Sequence, residues 1–200
     1  RLGLTVQDHT FTWGSYTLHN IAATQTGTAS PDSIFVIGAH YDDMPSTGTA
    51  PGADDNASGV AAVMTAAELF ASRPFRYTIK YLCFGGEEQG TNGSEAWAAW
   101  ARAQNLAIVA MLNFDMVGRL RDDRLMVYST ATATELAAIV DSANIAPAFR
   151  IVAIGDGTGP SDHASFYLKN LPVLHFFTGV HDDYHRATDD AERINAAGMA

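Results

Sequence analysis

Two adjacent glutamates, Glu87 and Glu88, follow a strongly apolar run containing Tyr77, Ile79, Tyr81, Leu82, Cys83 and Phe84 that ends in Gly85 and Gly86. Such a run has the composition of a strand buried on both faces, and the glycines punctuate its carboxyl end. Neighbouring carboxylates on a short turn repel each other unless positive charge lies beside them, and a metal ion is one source of that charge. Other polar groups follow other apolar runs in the same way: His40 and Asp42 after 33–39, Asp115 after 106–114, and His181 and His185 after 172–177. Asp54 and Asp55 come from an intervening loop. Imidazoles and carboxylates without a thiolate form a borderline-to-hard donor set that suits zinc and also admits manganese or cobalt. The missing thiolates point to a catalytic ion with open positions, since structural zinc sites are usually closed by cysteine.

The elements that must position these groups alternate along the chain. Edge strands are expected within 10–25, a buried strand at 33–39, a Pro, Gly, Ser and Thr-rich loop at 44–52 and a helix at 60–72. After the central strand, helices at 94–104 and 134–143 alternate with strands at 106–114, 125–128, 149–154 and 172–177. A glycine-rich loop, 155–159, precedes Ser161, Asp162, His163 and a short helix, and 192–200 begins a last helix. The alternation predicts an α/β fold of three layers, α/β/α, around a mainly parallel, mixed central sheet. The polar groups then gather where such sheets bind ligands, outside the carboxyl ends of the strands. Ordinary structural roles compete at several positions. One of Asp54 and Asp55 can be a helix cap, His175 a core histidine, Cys83 a small core residue, and Trp97 with Trp100 a core pair.

Composition narrows the function classes. The chain has 200 residues with 47% hydrophobic and 17% charged, as expected of one globular domain, residues 1–200, and it has no apolar run long enough for membrane insertion. Its 22 acidic and 12 basic residues give a net charge of −10, which opposes nucleic-acid binding, where a basic footprint is needed. Two divalent cations would bring that to about −6. The start at Arg1, without a methionine or signal sequence, reads as a mature or trimmed form.

Six motifs then become specific together: HYDD at His40 to Asp43, GADDNASG at Gly52 to Gly59, GGEEQG at Gly85 to Gly90, NFDMVG at Asn113 to Gly118, SDHASF at Ser161 to Phe166, and YHRATDD at Tyr184 to Asp190. In this order they resemble the M28 family of dizinc aminopeptidases. The resemblance implies two Zn2+ ions, one bound by His40 and Asp115, the other by Glu88 and His185, with Asp55 bridging. It implies that Asp42 fixes the His40 ring, that Glu87 is the unligated general base, and that Tyr184 stabilises the oxyanion. His163 would support the ligands from behind, and Met116 would line the side-chain pocket or pack beneath the site. The implied partners are peptide substrates with a free N-terminus, and the implied location is secreted or periplasmic. The alternatives are a single-zinc glutaminyl cyclase, a carboxypeptidase needing a basic pocket, and a binding domain that has lost its ligands. None of the six key residues is lost, and the intact Asp55 favours the dizinc peptidase.

Overall fold

The computed structural model describes residues 2–146 and 148–199, so the ends of the expected domain, Arg1 and Ala200, lie outside the described residues. Among the described residues eight strands form one sheet: β1 (Thr5–Trp13), β2 (Tyr16–Gln25), β3 (Ser30–His40), β4 (Tyr77–Phe84), β5 (Ala107–Phe114), β6 (Arg124–Tyr128), β7 (Arg150–Ile154) and β8 (Val173–Phe177). Five α-helices accompany them among the described residues: α1 (Gly59–Ala71), α2 (Asn92–Ala103), α3 (Leu136–Ala143), α4 (His163–Tyr167) and α5 (Ala196–Met199). The spatial order is β1-β2-β4-β3-β5-β8-β6-β7. The four central strands β4, β3, β5 and β8 are mutually parallel, whereas β1–β2, β2–β4 and β6–β8 pair antiparallel. The sheet is thus mixed, as expected.

Residues 10–25 belong to a hairpin that starts earlier than expected, and of its two strands β1 alone lies at the sheet edge, because β2 pairs with β4. The turn is Gly14-Ser15, and Gly14 takes the left-handed conformation (φ 58) that such a tight connection favours.

Adjacent residues of the central strands feed opposite layers, which is why these strands read as continuous apolar runs. Val36, Leu82, Met111 and Val173 pack against Trp97 and Ala98 of α2 and Phe166 of α4. Their neighbours Ile37 and Tyr81 pack on the other face against Val63 and Ala67 of α1, and Leu174 packs there against α3. A slip of one residue would turn every one of these side chains to the wrong face, so burial fixes the register. That register sets His40 opposite Phe84, level with the turn that follows β4. Trp100 departs from its expected core position: Trp97 is 1% exposed but Trp100 is 37% exposed. Three residues along a helix leave it at the border of the buried stripe, where its ring meets His9 of β1 at 5.3 Å.

The connectivity explains the place of the site. The chain leaves β3 through α1 to reach β4 on one side, then crosses through α2 to β5 on the other side of β3. The strand order therefore reverses at β3, opening a crevice at its carboxyl end. Among the described residues no helix is long and apolar enough to cross a membrane.

Candidate metal centre

Four parallel strands deliver the polar groups to that crevice: β3 ends in His40, β4 runs into Glu87 and Glu88, β5 into Asp115, and the loop after β8 carries His185. Gly86 makes the turn after β4 with a positive φ of 77, where a side chain would be strained. Asp55 arrives from a π-helical turn, Ala53–Ser58, ahead of α1. Gly59 permits this approach, since a methyl group there would run into the carbonyl oxygen of Phe114.

Asp55 is not a helix cap. The position before α1 is Ser58, and the Asp55 side chain makes no cap hydrogen bond to the helix. The Asn56 side chain ties this turn to the end of β5, donating to Phe114 and accepting from the backbone N–H groups of Gly59 and Met116. Asp54 faces away from the crevice: one oxygen accepts the Gly118 N–H at 2.7 Å, and the other lies 3.0 Å from His181 Nε2. The structure thus separates both ambiguous pairs. Asp54 and His181 satisfy each other, while Asp55 and His185 face the crevice.

Two groups of donor atoms converge there, each within 4.8 Å: His40, Asp55 and Asp115, and Asp55, Glu88 and His185. His40 Nε2 lies 3.4 Å from Asp55 Oδ1 and 3.5 Å from Asp115 Oδ1. His185 Nε2 lies 3.0 Å from oxygens of both Asp55 and Glu88. Ligands about 2.0–2.2 Å from one tetrahedral ion are separated by about 3.4 Å, so these spacings fit zinc. The orphaned atoms fit too: buried His185 Nε2 and Glu88 Oε1 make no hydrogen bond despite their close neighbours, as atoms aimed at a common cation would.

Asp42 meets the His40 ring through its backbone carbonyl and not through its carboxylate. The His40 ring donates from Nδ1 to the backbone carbonyl of Asp42 at 3.1 Å, leaving Nε2 free for the crevice, while the Asp42 carboxylate lies 3.8 Å away. That carboxylate instead accepts the backbone N–H groups of Glu87 and Glu88, each at 3.1 Å, and so fixes the turn that aims both glutamates.

The electrostatics of the metal-free cluster are those of crowded buried acids. Burial, added to the Asp162 and Asp115 charges and resisted by His40, pushes Glu87 up to about 9. Burial and Asp55 push Glu88 up to about 8. Burial also opposes charge on Asp115, but its hydrogen bond with His40 wins and lowers it to about 2. Burial pushes Tyr184 up to about 12, assisted by Asp55 and Glu88, so its hydroxyl keeps its proton; its ring stacks on His185 at 3.8 Å.

These groups open into a cavity of about 300 Å³ walled by Met116, Tyr128, Phe177, Val180 and the loop at Gly159 and Pro160. Met116 is only 4% exposed, and it lines this wall while packing beneath the site. Tyr128 and Phe177 carry no sequence signal, because apolar residues at strand ends read as core, and Val180 is a single apolar residue in the loop beyond β8. His163 stacks on His175 at 4.5 Å with ring planes 1° apart. Burial lowers both, to about 3 and about 4, so the pair is neutral. Asp162 between motif neighbours was also silent; it is fully buried with both oxygens unpartnered.

Known proteins share this arrangement of elements. A sequence profile for peptidase family M28 matches residues 20–200. A protein of Saccharomyces cerevisiae named "probable aminopeptidase" is 30% identical over 209 positions, covering 94% of this chain and 54% of the yeast protein. A "probable zinc metalloprotease" of Pyrenophora tritici-repentis is 41% identical over 103 positions, covering 49% of this chain and 24% of the fungal protein. The aminopeptidase of Aneurinibacillus sp. strain AM-1 superposes with a TM-score of 0.75 at 29% identity, over 92% of this chain and 45% of that one. A glutaminyl cyclase of Porphyromonas gingivalis superposes with a TM-score of 0.81 at 20% identity, over 99% of this chain and 80% of that one, and so shares the fold. The chain spans about a quarter to a half of the length of these two curated relatives. With the profile extending from β2 to the last described helix, the chain belongs to peptidase family M28.

Proposed function

We propose that the chain is the catalytic part of a zinc aminopeptidase that removes the first residue from peptides with a free N-terminus. The observation that carries this reading is the pair of donor groups sharing Asp55, with Glu87 beside them in the same cavity and belonging to neither. His40 and Asp115 would hold one zinc ion, Glu88 and His185 a second, and Asp55 both. The shared carboxylate favours this over the single-zinc cyclase reading. Bound zinc supplies Lewis acidity toward water and toward the scissile carbonyl.

The protein's own groups supply the rest. Glu87, with Oε2 4.0 Å from His40 Nε2, accepts the proton of the attacking water and returns it to the departing amine. The Tyr184 hydroxyl, held protonated, donates to the oxyanion that forms at the carbonyl. Met116, Tyr128, Phe177 and Val180 line the cavity and accept an apolar first side chain.

The test is release of leucine from an unblocked leucyl peptide by zinc-loaded protein, beside the same peptide with its amine acetylated. Release from the free peptide alone is expected; release from neither would sink the proposal. Asp42→Asn should reduce zinc affinity by about 10- to 100-fold, because the amide presents an N–H to one of the two backbone donors that the carboxylate now accepts. Competition with a chromogenic chelator measures it, and wild-type affinity would show that the Glu87–Glu88 turn holds without this carboxylate.

A further inference from the structure

The loop that carries His185 and the turn that carries Asp55 are joined by a residue outside both donor groups, Asp189. It is 1% exposed. Its Oδ2 accepts the backbone N–H groups of Asp54 at 2.9 Å and Asp55 at 3.1 Å, and its carbonyl oxygen accepts that of Ala53 at 3.0 Å. Three successive N–H groups ahead of α1 thus converge on one residue 134 positions beyond Asp55. Convergent N–H groups at the amino end of a helix make a concavity of positive partial charge, the kind of place that takes an anion. Here the chain fills it with its own carboxylate.

The other side of Asp189 is anchored as well. Its Oδ1, which makes no hydrogen bond, lies 3.6 Å from Arg119 Nη2, and the same nitrogen donates to Asp183 at 2.7 Å. Thr188 donates its hydroxyl to Asp183, and the Asp189 N–H donates to the Arg186 carbonyl. These bonds brace the loop 181–190 as a unit, while the Ser46 N–H donates to the carbonyl of His185 itself. His185 needs such bracing, because its φ of 57 is one that non-glycine residues hold only when their surroundings dictate it.

We infer that Asp189 is a positioning residue for the metal centre, fixing the backbone of Asp55 and the loop of His185 against each other so that the shared carboxylate serves both donor groups. The inference rests on the two-ion reading above. It also says that the loss of Asp189 weakens both ions together, since Asp55 belongs to both groups, whereas a change at Glu88 or His185 acts first on one.

The experiment is zinc titration of the folded protein against a competing chelator, with circular dichroism of each variant to establish the fold. Asp189→Ala is expected to weaken binding of both ions by about 10- to 100-fold. Asp189→Asn, which keeps an oxygen for the N–H groups, should recover part of that loss, and Asp190→Asn should bind zinc as wild type does. Should Asp189→Ala fail to fold, Asp189→Asn alone decides, with a loss of several-fold or more expected. Wild-type affinity in the folded Asp189 variants, or an equal loss from Asp190→Asn, would overturn the inference. Failure of the wild type to cleave an unblocked peptide would strike the proposed activity and leave the zinc titration to judge Asp189.

Discussion

Glu87→Gln should lower peptide hydrolysis by about 10²- to 10⁴-fold while zinc uptake stays close to wild type. The amide preserves the size and one acceptor of the side chain but cannot take up a proton at working pH. Glu87 is outside both donor groups, so its replacement removes no proposed ligand. Its turn is held through backbone N–H groups given to Asp42, which the substitution leaves in place. In the metal-free protein burial and nearby acids push Glu87 up to about 9, so it is a proton carrier whose hold on the proton depends on the charge beside it. Two divalent cations would oppose that rise and bring it toward the neutral range, where a base that must both take and return a proton works best. The paired measurement is turnover of an unblocked leucyl peptide and zinc content after dialysis. Retained turnover would remove Glu87 from the chemistry, and lost zinc would make it a ligand instead.

Stripping the metal should reverse the dependence of stability on pH. In the metal-free protein Glu87 and Glu88 rise from an ordinary 4.5 to about 9 and about 8, with burial the largest cause. Between those values the folded protein holds protons that the unfolded chain has released, so stability is lost as pH rises through the window. His163 and His175 act oppositely: burial holds them at about 3 and about 4 against 6.5, so they add stability as pH rises from about 4 to 6.5 and nothing above it. From pH 6.5 to 8 the two glutamates act in the same direction as His40, whose burial is outweighed by Asp115 and Asp55 so that it rises well above 6.5. At the lower end Asp162, which burial raises to about 7, acts with them. Each glutamate contributes a fall of roughly 1.4 kcal/mol per pH unit. Urea unfolding after chelation should show a clearly lower midpoint at pH 8 than at pH 6.5. With zinc in excess the trend should invert, because the ligands must be deprotonated to bind, and about a thousandfold excess over the dissociation constant adds about 4 kcal/mol. A metal-free midpoint that is flat or rises with pH would contradict the burial of these acids.

Much of this architecture was legible because two kinds of signal agreed. The central strands announce themselves as continuous apolar runs since they are buried on both faces, and the polar groups stand at their carboxyl ends, where a doubly covered parallel sheet opens. What sequence left open was settled by contacts between distant residues. Asp54 and Asp55 are chemically equivalent, and the motif resemblance alone favoured Asp55; the Gly118 N–H and His181, which occupy Asp54, give the physical reason that Asp55 is left to the crevice. Asp42 was legible as a neighbour of His40, but the division of labour between its carbonyl and its carboxylate depends on where the turn after β4 lands. Asp189 sat inside a matching motif without a visible task, since its partners lie on the far side of the chain. Trp100 misled because a spacing of three places two side chains near the same face without saying where the buried stripe ends.

The site drawn from four strands also has a history in time. His40 belongs to the third strand and His185 to the loop beyond the eighth, so the donors meet only after β8 has paired with β5. These are contacts of long sequence separation, whose loop-closure entropy must be met before they stabilise the fold. A nascent chain that has made β3, β4 and their helices holds His40, Asp55 and the two glutamates but no His185, and so lacks the complete second donor group. Zinc held by the proposed donors is therefore expected to act as a lock fitted to a finished molecule, slowing unfolding far more than it hastens folding, so that its withdrawal should shorten the lifetime of the native state.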